Sequence, residues 1–255
     1  GLIRSRSGEW DQTEQDLIPA CRELSRLGPV PDHEMCLNHL ATHYQRMGDA
    51  DEALRILQTL NTEARQRGAT FDSAVYSFGI GRGHQAKDQW AEAIANFEVS
   101  GEASQRLGDS VGLSYTHQAI AASLLKLGRT TDALARIDRA LELLDRSADA
   151  RQYDVNLLTR AQVLAALGRA GEAVTELDRI EPNLRKREDQ LRLAELLDAR
   201  VAAGEAVESK LDLPPLYLAE GAQRDTAPTP SRITPLAVRG LSLPGQVADG
   251  ADSLN

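Results

Sequence analysis

The segment DADEALRILQ (49–58) decides the fold, because the chain writes it again as QWAEAIANFE (89–98), RTTDALARID (129–138) and RAGEAVTELD (169–178). The fifth residue of each is alanine: Ala53, Ala93, Ala133 and Ala173, spaced by 40. An acidic residue stands before it each time (Glu52, Glu92, Asp132, Glu172) and a large apolar residue four places after it (Leu57, Phe97, Ile137, Leu177). Apolar positions four apart share one face of a helix. One period earlier lies EWDQTEQDLI (9–18), with Thr13 in the alanine column and Leu17 in the apolar column. On this register the chain is expected to open at the second helix of a unit.

Upstream of each segment lies another helical pattern. LNHLATHYQRMG (37–48), HQAIAASLLKLG (117–128) and LLTRAQVLAALG (157–168) each end on glycine, Gly48, Gly128 and Gly168, with Asp88 in the same column of the remaining unit. Glycine after such a pattern caps a helix and turns the chain sharply. Small residues at Ala41, Gly81, Ala121 and Ala161 let two helices approach closely. The unit is therefore a helical hairpin that buries its face only against neighbouring units, as in an α-solenoid. The four alanines are expected in equivalent buried sites.

These columns (small residue, large or aromatic residue such as Tyr44 or Trp90, glycine, then D-E-A-L) resemble the tetratricopeptide repeat (TPR), in a longer 40-residue form. The resemblance implies an all-α, right-handed superhelical α-solenoid over residues 1–204. A half repeat opens it. Four full repeats follow near 33–67, 71–107, 110–147 and 151–186, and one further helix lies near 188–203. Pro19 is expected to kink or shorten the opening helix. Uncapped ends of such an array would favour self-association. Beyond 204 the helical period stops, and six of the ten prolines fall at 214, 215, 228, 230, 235 and 244. Such composition cannot continue a solenoid, so residues 205–255 are expected to be a disordered tail or an out-of-frame end.

The bulk composition narrows the function. Net charge is −9 and the pI is near 5.1, which argues against a nucleic-acid partner, since phosphate binding needs concentrated Lys and Arg. No apolar run of about 20 residues spans a membrane. The compartment stays open between cytoplasm and periplasm, with the cytoplasm slightly favoured. Cys21 and Cys36 have no metal or redox spacing and read as small buried residues. SFGIGRGHQ (77–85) imitates part of a phosphate-cradling loop, but no strand precedes it. It reads instead as a first helix softened by Gly79, Gly81 and Gly83. His39 and His43 stand four apart, yet HLATH lacks the glutamate of a zinc motif. No nucleophile–base pair is visible, so neither a catalytic role nor a cofactor is expected.

In TPR arrays the first helices line a concave groove, and the resemblance places Asn38, Gln45 and Arg46, then Phe78, Arg82 and Gln85, then Tyr115, Gln118 and Lys126, then Leu158 and Gln162 along it. Amides pair with peptide backbone, and Arg grips carboxylates through two parallel hydrogen bonds. The lysine–asparagine carboxylate clamp of the chaperone-binding members is not reproduced. The expected partner is a protein or peptide segment carrying a carboxylate. The repeat style, with long helices and R-L-G-D junctions, is similar to arrays in bacterial regulatory proteins. There they precede diguanylate cyclase output domains or belong to transcriptional regulators, so a sensing or signalling role is expected.

Overall fold

The structure, a computed structural model, describes residues 10–27 and 30–204. The described residues form ten α-helices and no strand. They are α1 (Trp10–Leu27), α2 (Val30–Met47), α3 (Ala50–Gln66), α4 (Thr70–Ala86), α5 (Trp90–Leu107), α6 (Ser110–Lys126), α7 (Thr130–Leu143), α8 (Ala150–Ala166), α9 (Ala170–Lys186) and α10 (Gln190–Ala202). The chain divides into two compact units, one ending at Gly108 and the other beginning at Asp109. The first holds α1 followed by the pairs α2/α3 and α4/α5. The second holds α6/α7 and α8/α9 followed by α10. Residues 205–255, expected as a tail, lie outside the described part.

The alanine columns explain why these helices pack. Ala53, Ala93, Ala133 and Ala173 are each fully buried, and Leu57, Phe97, Ile137 and Leu177 beneath them are buried too. Small buried side chains let neighbouring helices approach, and the large apolar residue one turn on joins them in the core. In α4 the fit is tighter. A Cβ on Gly81 would stand 2.5 Å from the Phe97 ring of α5, and Cβ atoms on Gly79 and Gly83 would meet Leu57 and Leu54 of α3 at 2.9 and 2.8 Å. The three glycines therefore let α4 sink between its neighbours, and the close contacts offset their low helix propensity. Matching of Gly83 with Leu54, Gly79 with Leu57 and Ser77 with Asn61 makes α3 and α4 antiparallel.

The turns follow the same register. Gly48, Gly128 and Gly168 carry left-handed backbone, and Asp88, in their column, takes the same conformation at φ 56°. Glu188 does so at φ 55° in the column of Gly68 and Gly108. Left-handed backbone costs a residue bearing a Cβ roughly 1–2 kcal/mol, so two of these turns hold strain that glycine would not. Aspartate caps three first helices and one second helix: Asp109, Asp149 and Asp189 accept backbone N–H bonds at the starts of α6, α8 and α10, and Asp49 does so for α3, whereas α5, α7 and α9 start without a side-chain cap.

Polar ties cross the core where apolar columns lapse. In the first unit the Asn61 amide donates to Ser77 Oγ at 3.1 Å and accepts from Ser73 Oγ at 2.8 Å. In the second, Ser114 Oγ donates to the Ala140 carbonyl at 2.8 Å and accepts from Asn156, whose own oxygen accepts from Gln152. Such links are tolerated because partners meet each buried group. Two buried carboxylates are held by arginine. Arg67 donates to both oxygens of Glu34, and Arg187 donates to Asp154 at 2.8 Å.

Three local expectations change. α1 runs through Pro19 without ending there, and α9 likewise runs through Pro182. The helix expected to reach 147 stops at Leu143, because Leu144 turns to extended backbone and the Asp145 carboxylate accepts the Ser147 N–H at 2.7 Å. That bond forms an Asx turn, which competes with helix. Cys21 and Cys36 are buried, as expected, but they are joined in a disulfide with Cα atoms 5.5 Å apart. Antiparallel packing of α1 on α2 brings together residues equidistant from Gly28 and Pro29 in sequence, and 21 and 36 are such a pair.

Candidate binding face of the first helices

In the first unit the face consists of α2 and α4. Gln45 and Gly79 tie these helices together: the Gln45 amide donates to the Gly79 carbonyl at 2.7 Å. Gln45 is thus a strut between first helices. Phe78 packs its ring against Phe97, centroids 5.2 Å apart. Asn38 and Gln85 are half-buried, while Arg46 and Arg82 are exposed near the C-terminal ends of their helices. Cations belong there, since the helix macrodipole is negative at that end. Met35 is 56% exposed and Val75 38% exposed, both in the 40-residue column that also holds Tyr115. They lie 11 residues before Arg46 and seven before Arg82. Those separations return to the same side of a helix, so each helix shows an apolar group and a guanidinium on one side.

In the second unit the face consists of α6 and α8. Tyr115 donates its hydroxyl to Asp149 at 2.9 Å. Burial, that hydrogen bond and the Asp149 charge push the phenol up to about 12. The Asp149 carboxyl is pulled below its usual range, first by the Gln152 backbone N–H and then by Tyr115 and Arg151, against the opposing effect of burial. Gln118 donates to Thr159 Oγ1 at 2.9 Å. Like Gln45, it braces one first helix against the next. Lys126 is exposed and Gln162 half-buried. Leu158 is 2% exposed and joins the core cluster of Leu157, Ala161 and Leu164. It therefore presents no surface, contrary to its place in the expected groove. Its large apolar side chain gains more from the core than from the face.

His43 is buried beside Tyr44, ring centroids 5.8 Å apart, and burial with the Arg46 charge lowers its pKa. His39 is half-buried. Among the described residues no group of three or more His, Cys, Asp or Glu side chains converges as metal ligands. No described helix is long and apolar enough to cross a membrane. Val75 and Met35 could have been placed on the face by stepping back 40 and 80 residues from Tyr115.

A helical-hairpin array with a mixed polar and apolar face on its first helices is an all-α, TPR-like α-solenoid. Solved structures bear this out at the level of fold. BtubC (BKLC) from P. vanneervenii shares 16% identity, covering 83% of this chain and 81% of its own, with a TM-score of 0.60. A putative kinesin light chain from P. anserina, with nearly identical TPR-like repeats, shares 18% identity over 68% of this chain and 88% of its own, with a TM-score of 0.54. No protein-family model and no curated protein sequence matches the chain.

Proposed function

We propose that the chain is a protein-binding scaffold whose first-helix faces take an extended or helical segment bearing a carboxylate. The observation that carries this reading is the exposure of Arg46 and Arg82 on neighbouring first helices of a chain with net charge −9. Lys126 supplies an exposed cation on the first-helix face of the second unit. Met35 and Val75 add apolar groups on the same sides of α2 and α4, 11 and seven residues before Arg46 and Arg82, so the favoured segment carries an apolar side chain some distance from its acid. Asn38, Phe78 and Gln85 shape the face of the first unit, which Gln45 braces; Gln162 shapes that of the second, which Tyr115 and Gln118 brace, and such bracing lowers the ordering cost of binding. The long helices and the R-L-G-D junction at 106–109 support a place as the sensing region of a bacterial signalling or regulatory protein. A cyclase or transcriptional output would then be supplied by sequence outside this chain.

The test is titration of a panel of acidic and neutral peptides against wild type, Arg46→Ala and Arg82→Ala. Each substitution should weaken acidic peptides about tenfold while thermal stability stays level, since exposed charges contribute little to folding. Full affinity in both folded variants would move the binding surface elsewhere.

A further inference from the structure

α1 is a weakly self-supporting helix. Pro19 in its interior removes one backbone donor and crowds the preceding turn. What holds α1 is its packing on α2, where Leu17, Ile18 and Cys21 join Leu37, Leu40 and Ala41 in the first unit's core. The Cys21–Cys36 bond lies within that seam, with Cys21 fully buried. We propose that this disulfide is an oxidation-dependent closure: formed, it holds α1 as a cap over the apolar face of α2; reduced, it lets that cap open. Opening by a dithiol reductant breaks the S–S bond and adds two electrons and two protons. Cys21 and Cys36 become thiols, and the reductant becomes a disulfide.

The physical effect falls on the open state. A covalent loop across a separation of 15 residues removes conformations from the detached helix, a constraint equivalent to about a hundredfold in the opening equilibrium. Burial also shields the sulfurs, so a reductant reaches them only through prior opening. The bond is thus set when the chain folds and kept afterwards. It fits a compartment that oxidises thiols during folding, against the slight preference for cytoplasm drawn from sequence.

Full-length chain, folded under oxidising conditions, is alkylated with N-ethylmaleimide in denaturant and weighed. No adduct is expected before reduction and two after it. Hydrogen exchange is then compared between the oxidised and reduced protein. Amides of α1 that exchange through detachment of the helix should exchange about a hundredfold faster on reduction, with α8 as the unchanged control. The pair Cys21→Ala with Cys36→Ala should reproduce the reduced pattern without any reductant. Two adducts without reduction would show that the bond does not form. Equal α1 protection in oxidised, reduced and doubly substituted protein would show that the bond is no closure.

Discussion

Arg187 donates to Asp154 at 2.8 Å, and the carboxylate that it holds has no exposed surface. The pair spans 33 residues, from the turn after α9 back to the start of α8, and Arg67 makes the same 33-residue reach to Glu34 in the first unit. Arg146 stands 3.6 Å from the other Asp154 oxygen, too long for a direct hydrogen bond. Arg187 is therefore the main compensation for a buried charge.

Arg187→Met should destabilise the second unit by about 3 kcal/mol, because removing one partner strands the other's charge. Adding Asp154→Leu should recover most of that loss. Urea unfolding of the two variants decides the matter. A double variant as unstable as the single one would mean that Asp154 is not held mainly by charge pairing.

The strained turns give a prediction of opposite sign. Glu188→Gly should stabilise by about 0.5–1 kcal/mol, the left-handed penalty relieved less the entropy that glycine adds to the unfolded chain. Asp88→Gly should gain less, since aspartate tolerates this backbone better than glutamate does. Thermal melts of both variants, compared with wild type, test the order as well as the sign.

Gly81 and Gly171 should respond oppositely to alanine. Gly81→Ala drives a methyl into the Phe97 ring, and overpacking of this kind costs about 1–3 kcal/mol. Gly171→Ala meets nothing within 4 Å and should gain up to ~1 kcal/mol from helix propensity. Chemical denaturation that ranked the two the other way would contradict the packing described for α4.

His117 predicts an acid-sensitive second unit. Burial, with the charges of Arg136 and Arg139, lowers its pKa to about 4 from an ordinary 6.5. Between those values the unfolded chain binds the proton and the folded chain does not. Stability is therefore full above about pH 6.5 and falls as the pH drops toward 4. His117→Gln should flatten this part of the stability–pH curve. An unchanged slope would place the sensitivity on other groups.

Most of the fold was legible because it repeats. Ala53, Ala93, Ala133 and Ala173 share a physical task, and a task performed four times leaves a column. The polar ties were not legible for the opposite reason. Glu34 and Asp154 share a column, but Ala74 and Ser114 stand between them, and Arg67 and Arg187 are likewise separated by Leu107 and Ser147. Finding these pairs required matching two columns 33 residues apart. The disulfide was hidden because its symmetry is about the junction between α1 and α2 in sequence and not about the repeat. On the first-helix faces, residue type was a fair guide to the exposure of Arg46, Arg82 and Lys126, which all stand in solvent. It marked Gln45, Gln118 and Leu158 poorly. An amide serves a strut as well as a ligand, and a leucine one residue from a core position can turn inward.

The 40-residue register also bears on how such a chain can change length. Duplicating or deleting a whole unit returns every alanine to the same crossing and every left-handed turn to the same corner. Adding or removing a single residue within a helix rotates everything after it by about 100° and turns Ala133 or Ile137 out of the core. Genes for arrays built this way are free to gain and lose units by recombination between their own copies. Related chains should therefore differ by multiples of forty residues, with the odd lengths confined to segments such as 144–149, where the helix has already stopped.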